Sequence, residues 1–405
     1  MLKRTFLLLS LSIMLLPSCD KATPNDITER EDIILTKTET AITADINSFA
    51  FDLYKGLGKV EQKEFFISPL SASLALSMTS NGAAGTTQSQ MREVLGFSEY
   101  SQEEMNQFYK KITDALLKVD PSTTIAIANS IWADNSLKLN TDFVSMSSRY
   151  YNALVKNVDF GNSNAVVQIN KWCADNTGNK ITKVIDQIDH RAKAFLLNAL
   201  YFKGIWKAKF DKNMTEEASF TTFTGEKKNL PLMNRQGSFG YTENKTFQVA
   251  ELPYGNEAFS LVILLPKENV PYSEAVSSLS SESWNRINES IYFDNLDIFI
   301  PRIDLEYEIK LNDILKSLGM TDAFDPNMAD FMNMSDTPLF IDFVKQNTFL
   351  KLNEEGTEAA AVTVVGMKDN AVGPVEYISF RADRPFIYMI KEKSTGIILF
   401  MGQKG

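Results

Sequence analysis

Across 405 residues the chain carries 41 lysines and arginines against 51 aspartates and glutamates, for a formal charge of −10, with a single histidine and two cysteines. The acidic balance disfavours nucleic-acid binding, and one histidine leaves a His-based metal centre or two-metal site without its ligands. Length alone suggests two or three domains, yet no linker, repeat or low-complexity block interrupts the chain after residue 40, and 44% hydrophobic content suffices for one large core.

Lys3 and Arg4 precede an apolar run from Phe6 to Leu16, too short to span a bilayer and fitting the core of a signal peptide. The segment ends in Leu16-Pro17-Ser18-Cys19, which resembles a bacterial lipobox. Cleavage there leaves Cys19 as a lipidated first residue and the polar stretch Asp20 to Glu31 as a tether; ordinary secretory cleavage after Ser18 is the alternative. Removing residues 1–18 takes away two cations and no anion, so the mature chain is more acidic still. With Cys19 used for lipid, Cys173 stands alone and no internal disulfide is possible.

Ile42, Ile46, Phe49 and Leu53 recur at helical spacing, predicting a first amphipathic helix that ends near Gly56. After the apolar run Phe65-Phe66-Ile67, Ser68-Pro69 has the N-cap and first-turn chemistry of a helix that passes Leu74 and Met78 and stops at Asn81-Gly82. Thr86 to Leu95 and Gln102 to Lys118 read as helices, Gly96 closing the first, and Thr124 to Trp132 alternates as a strand. A helix from Thr141, a strand near Leu154 to Val158 and a helix containing Ile169, Trp172 and Cys173 follow. The Ala192 to Phe202 run is apolar enough for a central strand buried on both faces, with Asn198 a polar break needing partners. Thr246 to Leu252 and Ala258 to Leu265 form a hairpin through Pro253-Tyr-Gly-Asn-Glu; Leu296 to Ile300 is a strand, and Leu311 to Gly319 a short helix closed by its glycine. Strands and helices mix without regular βαβ alternation, so the class is α+β.

Little in this chain invites catalysis. A triad would rest on His190 alone; Asp189 beside it and Cys173 upstream suggest a Cys-His pair, but no nucleophile motif surrounds them, and a solvated histidine between Asp189 and Arg191 is the reading we adopt. No GxGxxG or Walker-type glycine loop is present. Asn-x-Ser/Thr sites such as Asn288-Glu-Ser are chance matches.

The stretch from Phe349 to Phe386 carries the strongest signal. Phe349 to Leu352 alternates like a half-buried strand, Asn353-Glu354-Glu355-Gly356 is a polar turn, Thr357 to Val365 is small or β-branched almost throughout, and Gly366 to Pro374 is loop-like. As a strand, Thr357, Ala359, Ala361, Thr363, Val365 and Met367 share one face, while both charges, Glu358 and Lys368, fall on the other with Ala360, Val362, Val364 and Gly366. The uncharged face enters a sheet without burying a charge.

Asn353-Glu-Glu-Gly-Thr-Glu-Ala-Ala-Ala, with Phe380-Arg-Ala-Asp-Arg-Pro-Phe-Ile and Phe400-Met-Gly downstream, resembles the hinge, reactive loop and C-terminal strands of the serpins. Phe66-Ile-Ser-Pro-Leu-Ser, Asn198-Ala-Leu-Tyr-Phe-Lys-Gly-Ile-Trp206 and Pro301-Arg302 extend the resemblance from about residue 40 to the C-terminus. It implies a large central mixed β-sheet, two smaller sheets, eight or nine helices and an exposed reactive-centre loop, in a single domain over residues 39–405 behind a signal peptide (1–18) and a tether (19–38). It also implies a monomeric inhibitor of serine proteases, with papain-like cysteine proteases as a second target class and with no cofactor and no metal; the lipobox-like segment implies that it is held by lipid at the cell envelope and faces outward.

The same resemblance assigns a hinge to Glu354, Gly356, Thr357, Glu358, Ala359, Ala360 and Ala361. Trp206 is expected to pack under the top of the central sheet, where an Arg302–Glu354 ion pair holds the slot closed until the loop is cut. Ser68 and Ser71 are expected beneath the opening. Gln346 stands where many serpins have a histidine bonded to the counterpart of Asn198. Counting from Gly356 gives Asn370-Ala371 as the reactive bond; counting back from Phe380 gives a bond one residue later, and Lys368-Asp369 is a third candidate. The runner-up is a non-inhibitory serpin acting as carrier or chaperone, whose relatives tend to carry charged, bulky or proline residues where this hinge is small.

Overall fold

The computed structural model describes residues 29–60, 63–189, 192–358 and 375–405. From the amino end the elements are α1 (Lys37–Val60), β1 (Phe65–Ile67), α2 (Pro69–Ser80), α3 (Gly85–Val94), α4 (Gln102–Leu116), β2 (Thr124–Asp134), α5 (Thr141–Tyr151) and β3 (Leu154–Val158). The middle holds α6 (Asn164–Asn176), β4 (Ala194–Ile205), β5 (Glu216–Thr221), β6 (Lys227–Glu243), β7 (Phe247–Pro253), β8 (Phe259–Pro266), α7 (Tyr272–Ser277) and α8 (Ser281–Glu289). The last third holds β9 (Tyr292–Pro301), β10 (Ile303–Lys310), α9 (Asn312–Leu318), β11 (Lys345–Asn353), β12 (Gly356–Thr357), β13 (Ile378–Arg381), β14 (Phe386–Glu392) and β15 (Ile398–Lys404).

These strands make two sheets. One has six strands in the order β10-β11-β12-β4-β2-β3, and the other nine, along β1-β15-β14-β8-β7-β6-β9-β13 with β5 beside β6. The six-stranded sheet is mixed, β2 running parallel to β3 and antiparallel to β4. Where the resemblance implies two smaller sheets there is one continuous nine-stranded path, because β6, 17 residues long, pairs with β5 and β9 along one part and with β7 near its end. That strand is absent from the pattern reading, because Pro231, Gly237 and Gly240 punctuate it like a loop. Its pairing with β9 through Leu232↔Pro301 to Tyr241↔Tyr292 overrides the local signal.

α2 begins as its sequence requires. Ser68 takes an extended backbone, its hydroxyl accepts from the Ser71 N–H, and Pro69 supplies the first turn. Nearly every residue of α2 is buried, since it runs through the core behind the six-stranded sheet. α1 departs from expectation by continuing past Gly56 to Val60. That glycine is a contact, not a stop: a β-carbon there would come within 2.6 Å of Ile314 Cγ2 on α9, so its absence lets two helices close up.

β4 also differs from its pattern. Ala194, Leu196, Leu200 and Phe202 face the main core, whereas Phe195 and Leu197 join a satellite cluster with Ile169 and Cys173 of α6 and Trp132 of β2. Farther along that second face Tyr201 and Lys203 are only half-buried. Each face of β4 is therefore fully buried over only part of its length, the core side from Leu200 onward and the other where α6 covers it.

Candidate functional site

The site lies at one end of the six-stranded sheet, between β4 and β11. Leu350 and Leu352 of β11 point into the core, Lys351 points out, and the chain then turns through Glu354 and Glu355 and re-enters the sheet as β12. Gly356 pairs with Asn353 on one side and Ile205 on the other, and Thr357 with Leu352 and Gly204. Two hinge residues already occupy a strand position between β11 and β4. Below them those strands form no ladder with each other among the described residues. Gly356 has φ +142°, and a β-carbon there would come within 2.1 Å of the Gly204 carbonyl oxygen; only glycine fits.

Aromatic side chains line the core side of this point. The Trp206 ring stacks on Tyr254 at 4.4 Å and 9°, and its Nε1 donates to the Asn353 carbonyl at 2.8 Å. The Tyr254 hydroxyl bonds Thr357 Oγ1 at 2.7 Å. Backbone bonds tie the turn down from outside, Trp206 N to Glu355 O at 2.9 Å and Phe210 N to Glu354 O at 3.0 Å. Trp206 thus packs under the top of the sheet as expected and also donates to the hinge turn.

Charge fixes the turn further. Glu354 is 2% exposed, and its Oε1 accepts from Arg302 Nε at 2.8 Å and Thr215 Oγ1 at 2.6 Å. Burial works against the carboxylate, but the hydrogen bonds from Arg302 and Thr215 outweigh it and hold Glu354 below the usual carboxylate range. For Glu355 too, burial is outweighed, here by Lys209 at 2.9 Å and Lys212 at 3.1 Å, with the same direction. The Arg302–Glu354 pair expected from the resemblance is formed. Thr215, Tyr254, Lys209 and Lys212 went unread, because they sit in turns and on strand ends whose local pattern signals only exposure.

Midway along the sheet the arrangement corrects the expectation for Gln346. Its Oε1 accepts from Ser68 N and its Nε2 donates to Ser68 O, both at 2.8 Å, so it clamps the backbone at the start of α2. It does not bond Asn198. That residue donates instead to Asn129 Oδ1 on β2, and its own Oδ1 is buried without a hydrogen-bond partner. Glutamine reaches both backbone groups of Ser68 because it offers a donor and an acceptor side by side. The Ser68 hydroxyl also donates to Leu399 O at 2.7 Å, and Ser71 bonds through its backbone.

Thr357 faces the core and Glu358 the opposite side, as alternation requires. Ala359, Ala360 and Ala361, the candidate reactive-bond residues Lys368, Asp369, Asn370 and Ala371, the lipidation candidate Cys19, and His190 lie outside the described residues. Cys173 is a buried free thiol that burial pushes up to about 12, which suits packing beneath α6 and not a nucleophile. No cluster of three or more metal-ligating side chains occurs among the described residues.

A family model described as Serpin (serine protease inhibitor) matches residues 44–404. Neuroserpin of Homo sapiens is 33% identical over 380 residues, covering 91% of each chain. Among solved structures, the thermophilic serpin tengpin in its native state superposes with a TM-score of 0.83 at 32% identity, over 93% of this chain and 96% of its own. Human thyroxine-binding globulin in complex with its ligand gives 0.82 at 26% identity, over 90% and 98%.

Proposed function

The chain belongs to the serpin family, and from that premise we propose that it is a protease inhibitor acting as a suicide substrate. Members of the family are mostly inhibitors of proteases and not enzymes, although some are non-inhibitory. The observation that carries the inhibitory reading is β12, Gly356 and Thr357 seated between β4 and β11 with no other strand between those two among the described residues.

A serine protease attacks the loop carbonyl at Asn370-Ala371, or at one of the neighbouring bonds named above. The C–N bond breaks, the amine leaves with a proton, and the acyl-enzyme stays on the hinge side. The hinge then continues into the sheet from Thr357, drawing the acylated protease along. Extended at about 3.3 Å per residue, Gly356 to Asn370 reaches on the order of 46 Å. Its roughly ten new backbone hydrogen bonds, at ~0.5–1.5 kcal/mol each, rival the ~5–15 kcal/mol that holds a typical domain together.

The ladder supports a continuous path. Extending the register of β12 puts residue 359 between Phe202 and Leu350, and residue 363 between Asn198 and Gln346. Phe202 and Leu350 are core residues, which suits Ala359. The hydroxyl of Thr363 has the donor that Asn198 Oδ1 lacks.

The likeness to thyroxine-binding globulin favours the carrier reading as the alternative. The hinge argues against it, since Thr357, Ala359, Ala360 and Ala361 stand where non-inhibitory relatives tend to carry charged, bulky or proline residues. Incubation with trypsin-like, elastase-like, legumain-like and papain-like proteases separates the two. Inhibition gives a complex that survives a denaturing gel, with a released C-terminal peptide whose mass identifies the cut bond; cutting by every protease without any complex overturns the inhibitory reading. We further propose that the inhibitor works as a monomer, lipidated at Cys19, on the outward side of the cell envelope.

A further inference from the structure

On the outward face of the six-stranded sheet, where the hinge leaves it, Glu358 stands in an unusual position. Its φ is +57°, the left-handed region that a side-chain-bearing residue seldom adopts. Its N–H still donates to Lys351 O at 2.8 Å, but the chain then turns away. The carboxylate is folded back against the sheet, with Oε2 accepting from the Tyr201 hydroxyl at 2.6 Å. Oε1, buried and without a hydrogen bond, lies 3.4 Å from Lys180 Nζ. Lys180 comes from the segment after α6 and also lies over the Phe349 ring at 5.5 Å.

The ladder fixes where this strand goes if it continues. One step beyond Thr357, residue 358 falls between Lys203 on β4 and Lys351 on β11. The next outward position, 360, falls between Tyr201 and Phe349. The carboxylate of Glu358 therefore sits one outward position ahead of its own backbone, in the slot that residue 360 must fill. Lys203 makes no ion pair among the described residues, and Lys351 approaches Asp304 only to 3.8 Å. Side chains directly opposite each other on one face of an antiparallel pair have β-carbons about 4.5–5.5 Å apart, so a glutamate at that level reaches both ammonium groups.

We propose that Glu358 is a positioning residue with two seats. In the uncut protein the Tyr201–Lys180 seat stops insertion after Thr357, because the carboxylate plugs the next slot. After loop cleavage Glu358 moves to an extended backbone, its carboxylate passes to Lys203 and Lys351, and the slot opens. The first seat restrains premature insertion and the second retains the inserted strand. This rests on the insertion reading above.

The test is the rise in melting temperature on cutting the loop, measured on the full chain for wild type, Lys180→Ala, Lys203→Gln/Lys351→Gln, Lys203→Arg/Lys351→Arg and the distant Lys138→Gln. The Gln pair is expected to shrink the rise by lowering the melting point of the cut form alone, the Arg pair and Lys138→Gln to leave it intact. Lys180→Ala is expected to leave the cut form unchanged and to speed heat-induced conversion of the uncut protein about fivefold, the scale of one partly exposed ion pair. A normal wild-type rise that the Gln pair leaves intact, or a Lys180→Ala protein that converts at the wild-type rate, overturns the two-seat proposal while sparing insertion. No rise in wild type overturns insertion itself and the second seat with it.

Discussion

In the proposed mechanism Ala359 and Glu354 have opposite tasks. Position 359 would enter the core between Phe202 and Leu350, so Ala359→Arg must bury a cation without a partner, at a cost of at least several kcal/mol. Loop cutting is untouched while insertion slows, so this variant is expected to be cleaved at the wild-type bond with little covalent complex and a much higher stoichiometry of inhibition. An Ala359→Arg protein that still traps protease one to one would contradict the hinge assignment. Glu354 holds the turn through charge. Its carboxyl is depressed below the ordinary 4.5, so its contribution is fully present above that pH and is lost as pH falls through the folded-state value. Glu354→Gln is expected to cost about 1–2 kcal/mol at neutral pH, low in the range for charged hydrogen bonds because Arg302 is half exposed. In paired urea titrations the gap between variant and wild type should close below pH 4.5; a gap independent of pH would remove the charge argument.

Elements show most clearly how far a pattern reaches. Ser68-Pro69 announces the start of α2, and β2 begins at Thr124, where the alternation predicts a strand. Caps and strict alternation are local chemistry, and a neighbour seldom overrides them. Gly56 went the other way, because a glycine in a helix pattern reads as a stop until the neighbouring helix is known. In the fold it leaves room for Ile314, whose Cγ2 would lie 2.6 Å from a β-carbon at this position. Gly56→Ala is thus expected to lower stability by about 1–3 kcal/mol through overpacking, despite alanine's better helix propensity. A melting curve at or above wild type would show that α1 and α9 can part without cost. β6 eluded the pattern for a related reason: its Pro231 and glycines are tolerated because β5, β7 and β9 hold it along its length.

For the molecule as a whole, the proposed anchor adds a constraint that the fold does not supply. Among the described residues no helix is long and apolar enough to cross a membrane; in the proposed arrangement Cys19 carries the retention at the envelope. Cys19→Ala is expected to release the protein from membranes or block its maturation; wild-type protein without acyl mass at Cys19 would rule the anchor out. The α+β class, the bounds of α2, α3, α4 and α9 and the polar turn before Gly356 were legible in the sequence, because periodicity, caps and turn chemistry are written into neighbouring residues. So was the Arg302–Glu354 pair, through the family resemblance. The partners of Gln346 and Asn198 were not, since two amides 148 positions apart have several donors and acceptors within reach and only packed backbone decides among them. Nor was the position of β12: the pattern along the chain gives a polar turn followed by a charge-free strand face, but that Gly356 and Thr357 pair between β4 and β11 while Glu358 packs against Tyr201 and Lys180 depends on contacts between segments far apart in sequence.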